Sequence, residues 1–262
     1  MFSYRGKTAL ITGASSGIGA EFARALAARH MNLVLVARST GRMNALATEL
    51  QQQYGIQADV ITADLSKEGI AQYILQEVQE RQLNIDLLIN NAAFGLFGRF
   101  ETLSIEQEHQ QMMVGVVAVV DLTHALLSQL LKNPAESAII NVASMAAFNP
   151  TPYMTVYGAS KAFILSFSLA LAEEYRQQGL HVLTLCPGAT ETAFFETSGE
   201  MAGSEEKRTP MQVVNTGLQA LEAGQTFAVD GRRNRLMASL SNLLPDPFTA
   251  RIMERMVRPH ES

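Results

Sequence analysis

The stretch Thr12-Gly13-Ala14-Ser15-Ser16-Gly17-Ile18-Gly19 constrains this chain more than any other. It follows Lys7 to Ile11, an apolar run that reads as a buried strand, and precedes an alanine-rich stretch, Ala20 to Arg29, of helical composition. A strand, a glycine-rich turn and a helix are expected. Gly13 permits the sharp turn, while Gly17 and Gly19 lack a Cβ, so a ligand's phosphates and the neighbouring strand can come close. The first-turn N–H groups then face a pyrophosphate, which the helix dipole also favours. The spacing is T-G-x-x-x-G-x-G, without the Gly-Lys-Ser/Thr ending of a nucleotide-hydrolysing loop. An ordinary tight strand-to-helix turn is the competing reading.

The stretch Asn32 to Ala37 reads as a second buried strand and Gly41 to Tyr54 as a helix, so the sheet is parallel. With 262 residues, no Pro/Ser-rich linker and 47% hydrophobic residues, one large α/β domain is expected. A formal charge of -5 argues against nucleic acid. Cys186 is the only cysteine, which excludes a disulfide framework or a cysteine-based zinc site within one chain, and none of the five histidines has a metal-like pairing. With no signal-peptide pattern and no apolar run of membrane-spanning length, a cytoplasmic protein without an integral membrane segment is expected.

In dinucleotide folds the end of the second strand meets the adenosine ribose, where an acid would bind the 2'-hydroxyl of NAD. No acid lies between His30 and Thr48, whereas Arg38, Ser39 and Arg42 do. A guanidinium pairs bidentately with a 2'-phosphate, so NADP (NADPH) is favoured over NAD. A third strand, Ala58 to Ala63, ends at Asp64-Leu65-Ser66, and a helix is expected from Lys67 to Glu80 with Ser66 as N-cap. Asp64 either accepts a bond from an adenine amino group or helps to cap that helix. The fourth strand, Ile85 to Ile89, runs into Asn90-Asn91-Ala92-Ala93-Phe94-Gly95. The two asparagines either meet a ligand or bond loop backbone.

Ser104 and Gln107 make a capping-box start for a helix reaching about Leu131. Its middle, Met112 to Val120, is apolar on every face, so the side away from the sheet is expected to meet a partner subunit in a homodimer or homotetramer. The fifth strand, Ala138 to Ala143, delivers Ser144. Tyr157 and Lys161 follow four residues apart, inside a helix expected from Thr155 to Gln178, so phenol and ammonium share one helix face.

TGASSGIG, NNAAFG, a serine thirteen residues before the tyrosine, YGASK, and Pro187-Gly188 with Thr190 and Thr192 together resemble the short-chain dehydrogenase/reductase family, in particular its bacterial NADP-dependent carbonyl and 3-oxoacyl reductase-like members. The resemblance covers roughly Gly6 to Asp230. It implies a Rossmann-type doubly wound parallel sheet with helices on both faces, in one domain over residues 1–230, with residues 231–262 as a C-terminal helical extension. The implied activity is NADP(H)-dependent reduction of a ketone or aldehyde, or oxidation of the matching alcohol. Ser144, Tyr157 and Lys161 are the implied catalytic residues, with Tyr157 supplying the proton, Ser144 holding the substrate oxygen and the Lys161 ammonium making the phenol more acidic. The implied cofactor contacts are Gly13, Ser15, Ser16, Gly17, Ile18, Gly19, Arg38, Asp64, Leu65, Asn91, Ala92, Tyr157, Lys161, Pro187, Gly188, Thr190 and Thr192, and no metal is needed. An NAD-dependent alcohol dehydrogenase and a non-catalytic dinucleotide-binding regulator are the alternatives. The second is motivated by Gly115, which stands where the family usually has an asparagine at a helix kink.

Cys186 reads as a packed core thiol, and Ala193 to Thr209 as a mobile lid over a small-molecule substrate. Phe94, Phe97, Met145, Phe148, Met154 and Phe194 are candidates for an apolar pocket. After Gly231, arginines 232, 233, 235, 251, 255 and 258 alternate with apolar residues in amphipathic helices. That segment is open to four readings: substrate-pocket wall, oligomer contact, membrane-surface attachment or plain domain cover.

Overall fold

In the computed structural model, which describes residues 2–192, 194, 207–241 and 246–258, the apolar runs of the sequence become seven parallel strands. These are β1 (Thr8–Thr12), β2 (Asn32–Ala37), β3 (Ala58–Thr62), β4 (Leu87–Asn90), β5 (Ala138–Val142), β6 (His181–Cys186) and β7 (Phe227–Val229), in the order β3-β2-β1-β4-β5-β6-β7. Side chains alternate across this sheet. Ala9, Ile11, Leu33 and Leu35 enter one core with helices α1 (Gly17–Ala27) and α2 (Thr40–Tyr54), and Leu10, Val34 and Val36 enter the other with α3 (Ile70–Glu80). Burial on both faces is why these strands are near-continuous apolar runs. The strand order reverses between β1 and β4, so the ligand crevice expected of such sheets opens at the C-terminal ends of those two strands.

The long helix expected from Ser104 is three segments: α4 (Ile105–Met112), a π-helical turn over Met113–Val117, and α5 (Ala118–Leu130). Gly115 sits buried inside the π turn, with only Ser160 Cβ, 3.9 Å from where a Cβ would stand, near it. The regular α-helix is thus interrupted around this glycine. The capping box is half formed, since Ser104 accepts from Gln107 N at 3.3 Å but its hydroxyl donates to Glu106. Helix α6 (Thr155–Tyr175) follows, closed by a 3-10 turn at Arg176–Gln178. The stretches Ile105–Leu130 and Thr155–Gln178 have the length and mean hydropathy of a membrane span. Their inner faces pack on the sheet through residues such as Leu122, Leu126 and Ala172, and the same apolar composition continues outward at Met112, Val117, Phe163 and Leu169.

One helix start departs from expectation. Ser66 does not cap the third helix. Asp64 Oδ1 accepts from both Ser66 N (3.1 Å) and Ser66 Oγ (2.8 Å), and the helix begins only after Gly69, whose φ of 72 lies in the left-handed region.

After β6 come α7 (Pro210–Glu222), entered through a full Thr209/Gln212 capping box, then β7, α8 (Arg232–Ser241) and α9 (Asp246–Val257). The expected lid falls mainly on residues 193 and 195–206, outside the described residues. Its flank is tied down. Arg208 pairs bidentately with the fully buried Asp230 at 2.8 and 3.0 Å, and bridges Thr190 by backbone. In the C-terminal helices Ala238 and Thr249 are buried while Leu236, Leu240, Phe248 and Ile252 are exposed.

Candidate active site

The turn after β1 is built by close approach. A Cβ on Gly13 would stand 2.8 Å from Asn91 Nδ2 and 2.9 Å from Ala92 Cα, and one on Gly19 would collide with the Gly13 carbonyl. Gly13 also has φ 67, where a side chain is strained. Ser16 precedes α1 with an extended backbone and no side-chain cap, so the first-turn donors at Gly17, Ile18 and Gly19 have no side-chain acceptor. Those features fit a phosphate-bearing ligand. Ser15 lies in the same turn, half-buried.

The asparagines also hold the sheet together. Asn91 Nδ2 donates to the Thr12 carbonyl at 2.9 Å, and Thr12 Oγ1 accepts from Asn91 N (2.9 Å) and Ala92 N (3.1 Å). The Asn91 amide nitrogens and the Ala92 N–H thus join β4 to β1. Asn90 is buried and donates to Asn141 Oδ1 (2.8 Å) and Thr123 Oγ1 (3.2 Å). Asn141 in turn donates to Ser168 on α6 (2.9 Å), so a polar chain crosses the core beside that helix. Thr12 and this chain carry no periodic signal in sequence; only the adjacency of β1, β4 and β5 explains them.

Arg38 is exposed at the end of β2 and acts electrostatically on Asp64. Burial pushes the Asp64 carboxyl up, but the Ser66 bonds and the Arg38 and Lys67 charges outweigh it and hold the group below its ordinary value. Leu65 is buried core, so any ligand contact it makes is through its main chain. Pro187 O accepts from Met145 N at 2.8 Å, joining the turn after β6 to the Ser144 turn. Thr190 Oγ1 donates to Gly188 O (3.0 Å), whereas Thr192 Cγ2 lies 3.0 Å from where a Cβ on Gly17 would stand. Thr192, rather than Thr190, is the threonine at the glycine-rich turn.

Ser144, Tyr157 and Lys161 converge at the C-terminal end of β5. Ser144 Oγ accepts from Ala146 N at 3.1 Å, and the Tyr157 ring packs on Phe194 with centroids 5.2 Å apart. Lys161 is buried, donates to Val142 O at 2.8 Å, and stands 5.8 Å from the Tyr157 ring centroid. Burial pushes the phenol up to about 12, with Ser144 pulling the other way. Burial also pulls the Lys161 amine down to about 8, which leaves it mostly protonated at neutral pH. Cys186 is buried against Ser144 and Lys161, and burial raises its thiol to about 12, so it is inert core. Among the apolar candidates, Met154 and Phe194 crowd around Gly95 together with Tyr157, whereas Phe148 packs edge-on against Phe227. Among the described residues no cluster suits a metal ion.

Lys161→Met tests this burial. The folded amine titrates near 8 against 10.5 ordinarily, so the unfolded chain binds more protons between those values and wild-type stability rises with pH there. The variant is expected to be more stable at neutral pH by about 1–3 kcal/mol after losing the Val142 bond. Its melting temperature should be flat from pH 8 to 9, where the wild type's climbs. A melting temperature below wild type at neutral pH would show that the amine is not held against its burial.

A doubly wound parallel sheet with a phosphate-fitting turn and a Ser-Tyr-Lys cluster defines a dinucleotide-dependent oxidoreductase. The family model described as short chain dehydrogenase matches residues 7–203, and the chain belongs to the short-chain dehydrogenase/reductase family. It is 33% identical over 209 residues to sulfoacetaldehyde reductase 2 of Chromohalobacter salexigens, covering 78% of this chain and 82% of that protein. It is also 33% identical over 198 residues to hydroxysteroid dehydrogenase-like protein 1 of Gallus gallus, covering 74% of this chain but only 58% of that protein. The short-chain dehydrogenase from Sphingobium yanoikuyae, solved in complex with NADPH, superposes with a TM-score of 0.82 at 28% identity over 98% of each chain.

Proposed function

We propose that the protein is an NADP(H)-dependent reductase of an apolar ketone or aldehyde, or a dehydrogenase of the matching alcohol, with Tyr157 as general acid and base. The observation that carries the reading is the meeting of Ser144, Tyr157 and Lys161 beside the Pro187-Gly188 turn. When bound, the nicotinamide dinucleotide supplies or accepts a hydride. Gly13, Gly17 and Gly19 leave room for its diphosphate, and Arg38 pairs with its 2'-phosphate. Ser144 donates to the substrate oxygen, Tyr157 delivers a proton to it, and Lys161, held by Val142 O, restores charge balance when phenolate forms. The test is NADPH oxidation over a ketone panel by wild type and Tyr157→Phe. Binding of NADPH without turnover, unchanged in the variant, would favour the regulatory alternative instead.

The same reading includes a homo-oligomer. Met112 and Val117 before α5, and Phe163 and Leu169 on α6, are exposed large apolar groups on adjacent helices. Sedimentation at micromolar concentration is expected to give a dimer or tetramer; a monomer would refute the argument.

A further inference from the structure

The last helix reaches back to the loop that leads into the catalytic helix. Tyr153 takes a left-handed backbone, φ 64, and its hydroxyl donates to Glu254 Oε1 at 2.9 Å. Its ring lies 6.1 Å from that of Phe97. Beside this clamp is a cleft of about 440 Å³ lined by Pro152, Ala250, Arg251, Glu254, Arg255 and Arg258. Three guanidinium groups face one carboxylate, and that carboxylate is already engaged by Arg258, at 2.8 and 3.1 Å, and by Tyr153. Arg251 and Arg255 are exposed and have no hydrogen-bonded or ion-paired partner among the described residues.

Lone surface arginines are ordinary; the location of these two is not. Tyr157, Met154 and Phe194 all lie against Gly95, and Phe97 packs near Tyr153, the residue before Met154. Pro152 and Tyr157 are five positions apart with Thr155 to Tyr157 helical, so their Cα atoms are no more than roughly 17 Å apart.

We propose that this cleft is an anion subsite. The substrate is an apolar ketone carrying a carboxylate, sulfonate or phosphate at its far end, paired with Arg251 and Arg255, while the Tyr153–Glu254 bond fixes α9 at the right distance. The proposal rests on the carbonyl-reductase reading above.

The test compares two substrates with NADPH: a medium-chain keto acid whose ketone is remote from its carboxylate, and the methyl ester of the same acid. Wild type is set beside Arg251→Ala/Arg255→Ala and, as a surface control, Arg232→Ala/Arg233→Ala on α8. Charge-assisted pairs of this kind predict a KM for the keto acid raised roughly tenfold to a hundredfold in the first variant, with kcat within about threefold. The ester's KM should be unchanged, and the control should match wild type for both. Added salt should raise the wild-type KM for the acid and not for the ester. Equal KM values for acid and ester in wild type, or an equal loss in the control, would overturn the subsite. If neither compound turns over, the reductase reading is what fails, and equilibrium dialysis of the pair then decides the subsite. Preference for the acid that the first variant loses supports it; no preference overturns it.

Discussion

Tyr157→Phe is expected to lower the rate of ketone reduction by about a thousandfold or more, with NADPH affinity within a few-fold of wild type. The substitution removes one hydroxyl and keeps the ring that packs on Phe194; Ser144 stays pinned by Ala146 N. Loss of a positioned proton donor is worth roughly 10² to 10⁴ in rate, and loss of its hydrogen bond to the developing oxyanion adds to that. Burial, which holds the phenol near 12, makes the direction of proton transfer informative. A substrate alkoxide has roughly the basicity of hydroxide, whose conjugate acid, water, has a pKa of about 15.7. Transfer from the Tyr157 hydroxyl to such an alkoxide therefore runs downhill even with the phenol raised by burial. Alcohol oxidation needs the phenolate, which burial opposes. The rate of reduction by wild type should accordingly hold up to about pH 8 and fall above it as the Lys161 amine deprotonates, while oxidation climbs toward the Tyr157 value. A variant retaining more than about a tenth of wild-type reduction would mean that the proton comes from elsewhere.

What the sequence disclosed, and what it did not, divides along one physical line. Strands buried on both faces are apolar runs, so β1, β2 and β5 were readable within a residue or two of their ends, and the four-residue step from Tyr157 to Lys161 placed both on one face of α6. Bonds that depend on which strands lie side by side were not readable. Asn91 reaches a carbonyl seventy-nine positions away because β1 and β4 are neighbours, and Lys161 finds Val142 O because α6 lies over β5. Ser66 has the composition of a cap, yet Asp64 engages its N–H and hydroxyl, and Gly69 delays the helix. Amphipathic patterning gave α8 and α9, but only the Tyr153–Glu254 bond shows which way α9 faces.

Arg38→Asp is expected to reverse the cofactor preference, raising KM for NADPH by roughly a hundredfold and lowering that for NADH several-fold. Arg38 is exposed at the C-terminal end of β2, so in the absence of ligand its guanidinium is solvated and costs little to desolvate onto a phosphate. A bidentate charge-assisted contact contributes about 1.5–3 kcal/mol per bond, enough on its own for a tenfold to hundredfold preference. Aspartate there removes that contact, repels the 2'-phosphate and offers an acceptor to a 2'-hydroxyl. The neighbouring Asp64 sharpens the effect, since Arg38 presently helps to keep that carboxyl charged; a second carboxylate beside it adds to the repulsion. Arg42 stands exposed on the first turn of α2, and Arg38→Asp combined with Arg42→Ala should deepen the loss for NADPH without further change for NADH. Because the phosphate contact is solvent-facing, the wild-type preference should also shrink as salt is added. Equal use of NADPH and NADH by wild type, with neither altered in the variant, would place the ribose away from the end of β2 and remove the basis for assigning NADP.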